Sequence, residues 1–153
     1  MNPNVKLTVL EKDQAIREWP VIGGFLAKAI PYAAGRWTLD DLRTQVEEGA
    51  MMCCVVWDPE EKHIYAVMGC EAEEYPGRRV FSISYCGGEE NSIQEWGHIW
   101  EAFVGIARGM GFDQIEVVGR PGWKKICKGT VEYARCYAMD LSRKEDRDGQ
   151  KEE

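Results

Sequence analysis

Between residues 80 and 118 the chain changes its hydrophobic period twice, and few folds accommodate that order. Residues 80–86 read as a strand. Trp96, Ile99, Trp100, Phe103, Ala107 and Met110 then recur at intervals of three and four, which predicts one helix over residues 92–110 with a wide apolar face. Ser92 with Glu95 three residues on has the form of a capping box at its start, and Gly111 supplies a stop. Ile115, Val117 and Val118 resume a strand. Strand, helix and strand joined by tight connections make a β-α-β crossover, which is parallel and almost always right-handed. The rest of the sheet has to be built around that unit.

Upstream, residues 5–11 alternate with Val5, Leu7 and Val9 on one side, as a half-buried strand does. Residues 13–34 have helical spacing interrupted by Pro20, Gly23, Gly24 and Pro31, predicting one or two short helices. Thr38 before Asp40 and Asp41, with Leu39, Leu42 and Val46 at helical spacing and Gly49 beyond, predicts a capped helix. Residues 51–57 form a continuous apolar run, suited to a strand buried on both faces. Residues 58–62 make a turn, 63–71 return as a strand, and Tyr75-Pro76-Gly77-Arg78 leads as a tight turn into 80–86. Three strands on two short turns are an antiparallel meander. Downstream, residues 120–128 read as a short helix and 131–141 as a final strand. The fold class is therefore α/β (α+β): a mixed sheet with an antiparallel meander, a long central helix and a β-α-β crossover. Residues 1–141 are read as one domain. Residues 142–153 are a charged tail with no apolar anchor, expected to be disordered.

Charge and cysteine usage narrow the function. With 26 acidic and 19 basic residues, the net charge of −7 repels nucleic acid and anionic lipid, and a basic protein surface is the better partner. No apolar run approaches the roughly 20 residues that span a bilayer, so no membrane association is expected. Cys53, Cys54, Cys70, Cys86, Cys127 and Cys136 include no pair at two-residue spacing, and only His63 and His98 could assist them. They are read as buried reduced thiols, with no metal site.

The element order and the stretch 80–117, with Ala107-Arg108-Gly109-Met110-Gly111 closing the helix before Phe112-Asp113-Gln114-Ile115-Glu116-Val117, resemble the GNAT N-acetyltransferase superfamily over residues 5–141. The segment Gly119-Arg120-Pro121-Gly122-Trp123 is similar to GNAT-like proteins encoded by tailed bacteriophages and prophages. The resemblance implies that acetyl-CoA would be held by the backbone of the loop before the long helix, which makes Gly87, Gly88, Asn91 and Ser92 the cofactor-binding residues if acetyl-CoA binds. In the family that loop carries an Arg or Gln and a Gly-x-Gly or Gly-x-Ala run. Here Glu89, Glu90 and Glu95 crowd the same helix pole, and carboxylates beside a polyanion cost on the order of 1 kcal/mol each when solvated.

The resemblance also implies a tyrosine acid on the short helix after the next strand. That position offers Trp123, Lys124, Lys125, Ile126 and Cys127, without a tyrosine. Tyr133 and Tyr137 fall on the final strand as packing residues, while Glu71, Glu73 and Glu74 form a solvated strand end. Arg120, Lys124, Lys125 and Lys128 read as a solvated basic face, and Trp96 and Trp100 as core. No catalytic residue is assigned. The expectation is a GNAT-like domain that uses no cofactor and has a protein partner, either self-association or phage particle proteins, in the bacterial cytoplasm or assembled into a virion. The alternative is an active acyl-CoA-dependent N-acetyltransferase with an atypical pyrophosphate loop.

Overall fold

The computed structural model of the chain describes residues 1–119 and 121–142. Apart from Ser142, the expected tail lies outside the described residues, as does Arg120 of the basic face. The elements follow in order: β1 (Lys6–Val9), α1 (Lys12–Arg17), α2 (Trp19–Leu26), a 3₁₀-helix (Ala27–Tyr32), α3 (Leu39–Glu47), β2 (Met52–Asp58), β3 (His63–Glu74) and β4 (Arg79–Gly88). Then come α4 (Ile93–Trp96), a 3₁₀-turn (Gly97–Ile99), α5 (Trp100–Gly109), β5 (Gln114–Val117) and a last 3₁₀-helix (Pro121–Lys125). The strands form one sheet in the order β1-β2-β3-β4-β5. The first four are antiparallel, and β5 joins β4 in parallel from Val80↔Gln114 to Ile83↔Val117.

The continuous apolar run of β2 is explained by what covers it. Alternate side chains of a strand point to opposite faces. Cys54 and Val56 enter a core with Met68, Phe81, Ile83, Trp96, Trp100 and Phe103. Cys53 and Val55 enter a second core with Ala15, Trp19, Ile22, Leu26, Leu42 and Val46. Thus α1–α3 cover one face of the sheet and α4–α5 the other, which leaves no polar face on β2.

Local chemistry sets the element ends. Thr38 Oγ1 accepts from Asp41 N–H at 3.2 Å and Asp41 Oδ2 accepts from Thr38 N–H at 2.8 Å, a complete capping box at the start of α3. The Thr38 backbone N–H first, and then the Thr38 side chain, hold the Asp41 carboxyl below its usual range. Asp58 folds the β2–β3 turn by accepting from the N–H groups of Glu60 and Glu61 at 2.9 and 3.2 Å. At the end of α5, Gly111 takes φ +81, and the Arg79 guanidinium donates to the carbonyls of Met110 and Gly111 at 3.2 and 3.4 Å. A cation there complements the helix dipole.

Four expectations are corrected. The capping box at Ser92 does not form: the Ser92 hydroxyl donates to Glu89 O at 2.6 Å and accepts from Trp96 Nε1 at 2.9 Å. The helix expected over 92–110 is broken at residues 97–99, and Met110, expected on its apolar face, is exposed. β4 extends through Gly88, so Gly87 and Gly88 belong to the sheet and not to a loop. Residues 131–141 form no strand, and Tyr133 and Tyr137 are 75% and 85% exposed rather than packed. An alternating pattern specifies a strand only where another surface covers its apolar side, and the described residues offer none.

Candidate functional site

The site suggested by the sheet lies where β4 and β5 part. Their last shared bond is Val118 N–H to Ile83 O at 3.1 Å, after which β4 runs on from Ser84 to Gly88 without β5 beside it. Trp123 and Ile126, from the last 3₁₀-helix and its exit, pack with Trp96 and Trp100 against the core. The rings of Trp96 and Trp123 lie 6.3 Å apart. Between Met68, Ile83, Trp96, Trp100, Phe103 and Trp123 a cavity of about 10 Å³ remains, at the lower limit for one water and lined by apolar groups.

Gly87 and Gly88 stand opposite Val67 and Ala66 in the β3–β4 ladder. A Cβ on Gly87 would overlap the Phe25 carbonyl oxygen of α2, so this glycine exists to let the helix backbone rest on the strand. A Cβ on Gly88 would meet nothing closer than 3.6 Å. Beyond them three N–H groups bond inside the chain, Glu89 to Tyr65 O at 2.7 Å, Ser92 to Glu89 O at 3.2 Å and Glu95 to Ser92 O at 2.8 Å, whereas those of Glu90, Asn91, Ile93 and Gln94 make no hydrogen bond among the described residues. Asn91 is exposed and takes φ 59, while Ser92 is 5% exposed with its hydroxyl committed in both directions. The four residues are neighbours, yet they form a strand end and a tight turn.

The charges at this pole are mixed. Glu89 binds His63 Nε2 at 2.7 Å, and Glu90 and Glu95 are exposed. Lys28 Nζ donates to Gly88 O at 2.9 Å and sits 5.1 Å from the centre of the Phe25 ring. Sequence reading missed Lys28, because nothing in the pattern of residues 13–34 says which strand they meet. α4 has four residues and passes into a 3₁₀-turn, so few aligned peptide dipoles back this end. The pole thus brings together the carboxylates of Glu89, Glu90 and Glu95, the ammonium of Lys28 and the neighbouring rings of Trp96 and Trp123.

The other candidates are scattered. Burial, then Glu73, pushes the Glu71 carboxyl up, and burial with the Glu71 charge pushes Tyr85 up to about 12 against the opposing effect of Arg36. Glu74 holds Arg79 Nε at 2.8 Å. Glu116 of β5 accepts from Ser82 Oγ at 3.2 Å and from Tyr133 Oη at 2.7 Å, a second group with no forewarning in the sequence. Lys124, Lys125 and Lys128 are exposed, and His98 Nδ1 is buried without a hydrogen-bond partner among the described residues. All six cysteines are unpaired; Cys136 is exposed, and burial pushes Cys53 and Cys86 up to about 12. Among the described residues no group of three or more His, Cys, Asp and Glu side chains is placed to hold a metal ion. None of their helices is long and apolar enough to cross a membrane.

A meander, a helix pair across one face, a parallel fifth strand and a parting of β4 from β5 define the class: the chain has the GNAT N-acetyltransferase fold. Solved structures share it. A probable acetyltransferase superposes with a TM-score of 0.65 at 11% identity, over 92% of this chain and 99% of that one. An aminoglycoside acetyltransferase from an uncultured soil metagenomic sample, in complex with sisomicin, gives 0.66 at 12% identity, over 92% and 97%. Glucosamine-6-phosphate N-acetyltransferase from Arabidopsis thaliana gives 0.57 at 14% identity, over 90% and 99%. By sequence, no protein-family model and no curated protein matches the chain.

Proposed function

We propose that this chain is a GNAT-fold domain that works without acetyl-CoA catalysis, as a protein-interaction part of a phage particle or phage accessory assembly. The observation that carries the reading is the seat of Gly87 and Gly88: the glycines that would cradle a pyrophosphate are sheet residues, one of them roofed by the Phe25 carbonyl of α2. Trp96, Trp123 and Ile126 in the adjoining cleft support it. The phage assignment rests on the similarity of the segment at 119–123 and places the protein in the bacterial cytoplasm or in the virion. A net charge of −7 suits a basic partner surface.

The second reading is an active N-acyltransferase with an atypical loop. It is favoured by the parting of β4 from β5, by Lys28 at the end of β4, and by Glu71, a half-buried carboxylate whose proton affinity is raised by burial and then by Glu73. Release of free coenzyme thiol from acetyl-CoA separates the two readings, with a polyamine, an aminoglycoside and a peptide amino terminus as acceptors. We expect no release above the protein-free rate for any of the three. Turnover that Glu71→Gln abolishes would establish the enzyme instead.

A further inference from the structure

After β5 the chain returns as a strap, Pro121–Gly129, laid against the start of α4 and the core beneath it. Its backbone bonds close on itself: the N–H groups of Ile126 and Cys127 donate to Trp123 O at 3.0 and 2.9 Å, and that of Lys128 to Ile126 O at 3.0 Å. Among the described residues no backbone hydrogen bond joins 121–129 to the sheet. Side chains hold it instead. Trp123 and Ile126 are half-buried against the core, Cys127 is buried, and Trp100 Nε1 donates to Lys128 O at 3.0 Å. The Trp123 ring lies over Gly119, where a Cβ would stand 2.6 Å from its Cδ1, and Gly129 takes φ +88 at the other end. Backbone tied down by so few bonds outside itself opens at a lower free energy than the sheet it rests on.

The space under the strap is apolar on one side and bounded by unpaired backbone on another. Met68, Ile83, Trp96 and Phe103 line it, and with Trp123 and Ile126 in place about 10 Å³ is left. β5 pairs with β4 only as far as Ile83, so the edge of β4 that runs on to Gly88 has no ladder partner on that side. Trp96 connects this space to residues 87–92. Its ring comes within 3.8 Å of where a Cβ on Gly88 would stand, and its Nε1 donates to Ser92 Oγ at 2.9 Å. An apolar wall suits methylene groups and an unpaired strand edge suits amides, and the long arm of coenzyme A carries both. We infer that the strap is an autoinhibitory contact: Trp123, seated 6.3 Å from Trp96, closes a slot for that arm, and displacement of residues 121–129 opens it. The inference rests on the reading above, in which the intact chain takes no acetyl-CoA.

Melting temperatures in millimolar acetyl-CoA test it on the full chain as wild type, Trp123→Ala and Gly119→Ala, the last of which pushes the ring off its seat from outside the core. The wild type should not shift, whereas both variants should rise by about 3–5 °C, as a ligand of roughly 0.1 mM affinity gives. ADP at the same concentration carries phosphates without the arm and should shift none of the three. A rise with ADP equal to that with acetyl-CoA overturns the proposal, because the variants would then bind an anion and not the arm. No rise in either variant overturns it too, and leaves the proposed function standing. A rise in the wild type as large as in the variants overturns the strap's role together with that function. Should neither variant fold, amide hydrogen exchange of the wild type decides. The amides of Ile126, Cys127 and Lys128 should exchange well ahead of those of β2, β3 and β4, and a common rate for all of them would show a strap that never opens by itself.

Discussion

Gly87 is a structural glycine at a position to which the family resemblance gives a cofactor role. Both types lack a Cβ because a backbone comes close, but at Gly87 the approaching backbone is the chain's own Phe25 carbonyl. Gly87→Ala should therefore push α2 off the strand and cost about 1–3 kcal/mol, in the range of overpacking. Gly88→Ala should cost well under 1 kcal/mol, because its new methyl would meet only contacts of 3.6 Å or longer. Chemical denaturation of the two variants decides. Equal losses would mean that α2 does not rest on Gly87 as described. Ser92 shows the same competition at a hydroxyl. Its spacing to Glu95 suits a cap, but Trp96 Nε1 and Glu89 O take both of its hydrogen-bonding roles, and a buried indole N–H left unpaired would cost more than an uncapped turn.

At the scale of elements, α5 holds the sheet's second face together, and its phase can be checked. Phe103 is 2% exposed in the core formed with Phe81, Ile83 and Trp100, so Phe103→Ala should cost about 3–5 kcal/mol in denaturant melts. A loss below about 1 kcal/mol would place the ring on the surface and contradict the packing of α5. The apolar repeat of that helix was legible because burial at three-and-four spacing is a local signal. So were the Thr38 cap, the Gly49 stop and the two turns of the meander. The continuous run at residues 51–57 announced a strand covered on both sides, and the two cores meeting at β2 explain it. What stayed hidden depends on distant neighbours. Gly97 lies at the break between α4 and α5 where the apolar spacing continues unbroken. The network of Glu116, Ser82 and Tyr133 joins three segments that no sequence spacing relates. Residues 131–141 alternate as a strand should, but alternation records a preference for a cover and not the cover's location.

For the whole molecule, the GNAT fold places the packed side chains of Trp96, Trp123 and Ile126 near the point where β4 and β5 part. The Lys28 ammonium at Gly88 O places a positive charge beside the Glu89 and Glu90 carboxylates, which reduces the repulsion that the sequence alone suggests. On the proposed reading the packed Trp96, Trp123 and Ile126 are the stronger obstacle, so Glu89→Gln with Glu90→Arg should not create an acetyl-CoA site. The most direct measurement is the melting temperature in millimolar acetyl-CoA, read for the wild type and that double variant. A ligand of micromolar affinity bound only to the folded state would add about 4 kcal/mol, a rise on the order of 10 °C for a domain of this size. The account predicts no rise in either protein. A rise of several degrees in the wild type that a dephospho analogue fails to reproduce would contradict it, and would return the domain to the working acetyltransferases.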